Sequence, residues 1–170
     1  MNQRQQGFSM VEAMVSVLVL SGGLLGLAFL QAQGMKFNAD AYQRTQATVL
    51  AYDIIDRLRA NPVAARAGNY VVANSAAAAF VGNTTSYELC DTQDGSVPCT
   101  ANQLATFDLA RWYQSQTTSL ALDPNNYATI AQTVVGPPLD TYTITMRWRE
   151  QSNLALGSLK TQAWQVQIAP

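Results

Sequence analysis

Hydrophobic and polar positions change period twice along the chain. Between residues 13 and 35 no side chain is charged, and residues 13–30 are almost unbroken Ala, Val, Leu, Met and Phe with a few Ser and Gly. A helix rises ~1.5 Å per residue, so about 20 such residues cross a hydrocarbon core ~30 Å thick. The pattern therefore predicts a membrane-spanning segment near the N-terminus. Beyond it, Met35, Ala39, Tyr42, Val49, Leu50, Ile54 and Leu58 recur at steps of three to four, with Lys36, Asp40, Arg44, Asp53, Asp56 and Arg57 mostly on other faces. That spacing predicts that the helix continues and packs one face against a domain. Asn61-Pro62 ends it, because the residue before a proline is pushed out of the helical region. From Phe8 to Ala60 such a helix runs ~80 Å.

The last third of the chain has period two. Tyr142, Ile144, Met146 and Trp148 alternate with Thr143, Thr145 and Arg147, and Trp164, Val166 and Ile168 alternate with Gln165 and Gln167. Each run predicts a half-buried antiparallel strand, the two being joined through residues 150–157. Residues 127–135 predict a third strand, ended by Gly136-Pro137-Pro138. Between helix and strands, residues 64–69 and 73–79 are rich in small side chains and predict loop with a short helical turn. Tyr70-Val71-Val72 and residues 86–90 are short candidate strands. Thr100-Ala101-Asn102-Gln103 has the capping-box spacing, opening a helix through Leu104, Phe107, Ala110, Arg111 and Trp112 towards Leu120. On that helix Asp108 and Arg111 are expected to form a solvated pair. A long N-terminal helix packed on an antiparallel sheet is an α+β architecture.

Composition narrows the function. The 170 residues are 48% hydrophobic and 12% charged, and ten Lys+Arg nearly balance eleven Asp+Glu. A net charge of −1 gives no basic footprint for nucleic acid. The small cluster of Arg57, Arg59 and Arg66 has two readings, DNA capture or a solvated helix end suited to the macrodipole. The chain has no histidine, which removes the commonest general base and zinc ligand and every Ser-His or Cys-His pair. With no phosphate loop and no metal-spaced cluster, the expectation is a non-enzyme without cofactor or metal. Asp91 and Asp94 offer too few ligands for a calcium site. Trp112, Trp148 and Trp164 are either core or the lining of a groove. Cys90 and Cys99 flank a turn-rich loop containing Asp94-Gly95. A disulfide, free thiols and a redox pair are all compatible with that spacing, the disulfide being the default in an oxidising compartment.

Glu12 stands out within this frame, because it opens the apolar run between Val11 and Ala13. An acidic side chain costs on the order of 2.5–3.5 kcal/mol at the centre of a membrane and less near its surface. Glu12 either rests at headgroup level or awaits a positive partner from another chain. Gly7-Phe8-Ser9-Met10-Val11-Glu12 resembles the processing site of type IV prepilins: a short polar leader ending in glycine, then Phe, then glutamate four residues on. The resemblance implies that residues 1–7 are a leader and that an inner-membrane prepilin peptidase cuts between Gly7 and Phe8. It also implies N-methylation of the new terminal Phe8, and pairing of Glu12 with the terminal amine of a neighbouring subunit. A carboxylate in low dielectric is expensive alone and much less so when paired, so such a contact would set axial register.

Residues 21–31, Ser-Gly-Gly-Leu-Leu-Gly-Leu-Ala-Phe-Leu-Gln, resemble a stretch of the PilV-like minor pilins, the type IV pilus modification proteins. Gly22 and Gly26 also have the Gly-x-x-x-Gly spacing that lets membrane helices approach, or simply mark weak helix propensity. The resemblance implies a pilin-like fold, with residues 8–34 the membrane and filament-core helix and residues 35–170 a periplasmic head. It implies a minor pilin that primes pilus assembly at or near the tip. It would sit as a single-pass inner-membrane protein and then in the extracellular pilus. Its partners would be the inner membrane, the prepilin peptidase, other minor pilins, the major pilin and the assembly machinery. A minor pseudopilin of a type II secretion system shares the processing site, and an adhesin or DNA-binding module displayed on the pilus is a third reading. An ordinary signal peptide cut near Ala32-Gln33-Gly34, or an unprocessed anchor, would explain the apolar run but not Glu12.

Overall fold

A computed structural model describes residues 9–82, 90, 99–122, 126–134, 140–150 and 158–168. Four helices precede three strands: α1 (Met10–Ala60), α2 (Pro62–Arg66), α3 (Asn74–Gly82), α4 (Ala101–Ser119), β1 (Thr129–Val134), β2 (Asp140–Glu150) and β3 (Ser158–Ile168). The fold is α+β, with one long apolar helix and one small antiparallel sheet, as the pattern predicts. Two compact units divide the chain, Met1–Asn38 and Ala39–Pro170.

In the first unit the described residues form only the apolar part of α1, and its large side chains are uncovered, Leu18 and Leu25 each 72% exposed. A helix apolar all round is stable only where lipid or other chains cover it. By length and composition it is able to cross a membrane.

The second unit has one core. It is built from Ala47, Leu50, Ala51, Ile54, Ile55 and Leu58 of α1, Ala105, Leu109, Trp112 and Tyr113 of α4, and Ile130, Tyr142, Ile144, Met146 and Trp148 of the sheet. Of the expected line on α1, Leu50, Ile54 and Leu58 are buried, whereas Met35, Tyr42 and Val49 are 68%, 57% and 56% exposed. Those three lie seven apart and share a line of their own. The face that packs is marked instead by the small residues Ala47 and Ala51, both fully buried, where close approach leaves no room for bulk. Trp112 seals this packing, its indole N–H donating to the Leu50 carbonyl at 2.8 Å.

Proline ends α1 as expected and then starts α2. Asn61 caps the short helix, its side chain accepting from the Ala64 N–H, with Pro62 in the first turn, where a missing N–H costs nothing. Gly68, at φ 75°, turns the chain out of α2, and a Cβ there would lie 3.2 Å from the Gln132 side chain. The strand expected at residues 70–72 is reduced to one bridge, Val72 to Ile130, and the turn expected at residues 73–79 is the helix α3. Residues 86–89 lie outside the described residues, as does Gly136-Pro137-Pro138. The capping box forms: Thr100 accepts from the Gln103 N–H, and the Gln103 side chain accepts from the Thr100 N–H.

The sheet order is β1-β2-β3, antiparallel throughout. Along β2, Tyr142, Ile144, Met146 and Trp148 are buried, and the residues between them are not. Trp112 and Trp148 are 0% and 2% exposed, and Trp164 packs partly buried against the core. Trp112 and Trp148 are core, and Trp164 sits half-buried at its margin.

Candidate functional site

Two sets of residues stand out in the structure, the start of the apolar helix and the charged groups that fasten α1 to its domain. Gly7 and Phe8 lie outside the described residues. The helix begins immediately after Ser9, whose carbonyl accepts from the N–H groups of Glu12 and Ala13 at 3.0 and 3.2 Å. Glu12 therefore occupies the first turn of α1, where the helix dipole favours a negative charge by roughly 0.3–1 kcal/mol. Ser16 is satisfied within the helix, donating to the Glu12 carbonyl at 2.7 Å. Around Glu12 the side chains of Met10, Val11, Met14 and Val15 are 80%, 68%, 65% and 56% exposed. Among the described residues nothing pairs with its carboxylate. An anion thus stands on an uncovered apolar surface, and any chain that covers this surface must supply a donor or pay for its desolvation.

The second set was hidden in the sequence. Asp108 is not a solvated partner of Arg111; it is 8% exposed and faces away from solvent. Its Oδ1 accepts from Arg57 Nη1 at 2.8 Å and its Oδ2 from the Tyr70 hydroxyl at 2.6 Å. Arg57 also donates to Asp53 at 3.1 Å. Burial works against the Arg57 cation, but its bonds to Asp53 and Asp108 outweigh that and raise its pKa. Burial, then the bond to Asp108, pushes the Tyr70 phenol well above its ordinary value, so it stays a neutral donor. Asn61 joins the group, donating to Ala101 O at 2.7 Å and to the Tyr70 oxygen at 3.4 Å. One buried cluster thereby ties the end of α1 to the start of α4 and to the segment after α2. Arg57 is held in this cluster, whereas Arg59, 58% exposed and 3.4 Å from the solvated Asp56, and the exposed Arg66 keep the reading of a solvated helix end. That is no basis for a DNA surface.

A second tie joins α1 to the sheet. Arg44 grips Glu150 with two bonds, Nε to Oε1 at 2.7 Å and Nη2 to Oε2 at 3.1 Å. Glu150 is 1% exposed and also accepts from the Trp148 indole at 3.3 Å. The hydrogen bond and charge of Glu150 raise the Arg44 pKa. The two partners are unequal, for the Arg44 side chain is 62% exposed and that of Glu150 only 1%. In Glu150→Gln the guanidinium can turn to water, whereas Arg44→Met leaves a carboxylate buried without that cation. We therefore expect Arg44→Met to lower the urea midpoint of the full chain in detergent more than Glu150→Gln does. Equal midpoints would contradict this asymmetry.

Both missed groups carried a signal. Asp108 lies on the α4 line Ala105, Asp108, Leu109, Trp112, Gln116, all of them buried. Glu150 extends the inward positions 142, 144, 146 and 148 by one more step of two. At Asp108 the charge suggests a solvated pair, and at Glu150 the strand run reads as ending at Trp148, although the periodicity of each element points inward.

Cys90 and Cys99 are joined by a disulfide. The loop between them, with Asp91 and Asp94, lies outside the described residues. Among the described residues no three or more His, Cys, Asp or Glu side chains gather in a way that could hold a metal ion.

A family model described as Tt1218-like, Type IV pilin Tt1218, matches residues 29–110. The match begins in the apolar part of α1, runs through both partners of the Arg57–Asp108 pair and both cysteines, and ends within α4. It supports a type IV pilin. No curated protein and no solved structure matches the chain.

Proposed function

We propose that the chain is a minor pilin subunit of a type IV pilus, of the PilV-like kind, that primes pilus assembly at or near the tip. The observation that carries this reading is the match of residues 29–110 to a type IV pilin family. The uncovered apolar start of α1 supports it, since such a surface suits first a membrane and then the core of a filament. The precursor is held in the inner membrane by α1, with the Ala39–Pro170 unit in the periplasm. A prepilin peptidase cuts between Gly7 and Phe8, and the new amine of Phe8 is methylated.

Processing and Glu12 are linked by electrostatics. Cutting creates a cation at Phe8 and removes a polar leader from the surface that must be buried. On entry into the filament, Glu12 of one subunit meets the terminal amine of the next. The pair is worth forming because neither charge is tolerable alone once water is excluded. The role is one of assembly contacts with other minor pilins and the major pilin, and not of catalysis.

Glu12→Leu tests this reading. If Glu12 only rests among headgroups, the change removes a polar cost and is harmless. If it pairs across subunits, cleavage and the amount of protein stay normal. Incorporation into pili then falls on the order of a hundredfold, since one unmet buried charge costs about 3 kcal/mol or more. Normal incorporation with normal cleavage would refute the pairing.

A further inference from the structure

We draw no further inference here: the strongest candidate, the exposed face of α1 formed by Tyr42, Val49 and Tyr52, is an apolar helix face, and nothing in the structure shows what covers it.

Discussion

Asp108→Asn should destabilise the Ala39–Pro170 unit by about 2–4 kcal/mol, although it exchanges one atom for another of similar size. Both oxygens of Asp108 accept hydrogen bonds, one from Arg57 at 2.8 Å and one from Tyr70 at 2.6 Å. An amide has a single acceptor, so its NH2 must face either the guanidinium or the hydroxyl, and two donors then meet. Tyr70 is fully buried, and a buried hydroxyl that loses its acceptor costs about 1–3 kcal/mol. Arg57 keeps Asp53 at 3.1 Å and its side chain is 31% exposed, which holds the total below that of a wholly isolated charge.

A second substitution separates this account from a general loss of packing. In Tyr70→Phe the competing donor is gone, and an asparagine at 108 can turn its carbonyl to Arg57. Asp108→Asn should therefore cost less in that background, with a coupling of about 0.5–3 kcal/mol. Urea unfolding of the four full-length chains in detergent gives the cycle. A cost within about 0.5 kcal/mol for Asp108→Asn alone, or strictly additive effects, would contradict the two-acceptor role.

The features legible in the sequence were those set by local physics. Backbone sterics at Asn61-Pro62 end α1, the Thr100–Gln103 spacing starts α4, and strict alternation identifies β2 and its buried face. What escaped was decided by tertiary contact. The exposed line of Met35, Tyr42 and Val49 looks like a packing face because its residues are large. Only close approach at Ala47 and Ala51 shows which side is covered. Tyr70-Val71-Val72 has the composition of a strand, yet only Val72 makes a β-bridge, to Ile130. The stretch at residues 73–79 has good helix formers but no cap strong enough to announce α3, whose Asn74 side chain instead accepts from the Tyr127 N–H at 2.9 Å. Asp108 and Glu150 required a carboxylate inside the core, and such a group survives there only with partners that lie far away in the chain, Arg57 and Arg44. At the candidate site, Glu12 was legible because a charge breaks an otherwise apolar run. Its partner was not, since on the proposed reading it belongs to another molecule.

The largest functional effect is expected at Gly7. Gly7→Val places a branched side chain where the peptidase should find none, so the precursor should accumulate uncut in the membrane and none should enter pili. Because the leader then stays in place, the Phe8 amine never forms and Glu12 has no cation to meet. The fold of the Ala39–Pro170 unit should be unaffected, with a urea midpoint equal to that of the parent chain. Cut protein in normal amount would show that Gly7 is not read.

A processed pilin subunit has a mature N-terminus at Phe8. Mass spectrometry of the protein from cells that hold the peptidase, and from sheared pili, should find a first residue Phe8 carrying one methyl group on its amine. A mature chain that starts at Met1, or one cut after Gly34, would contradict this reading.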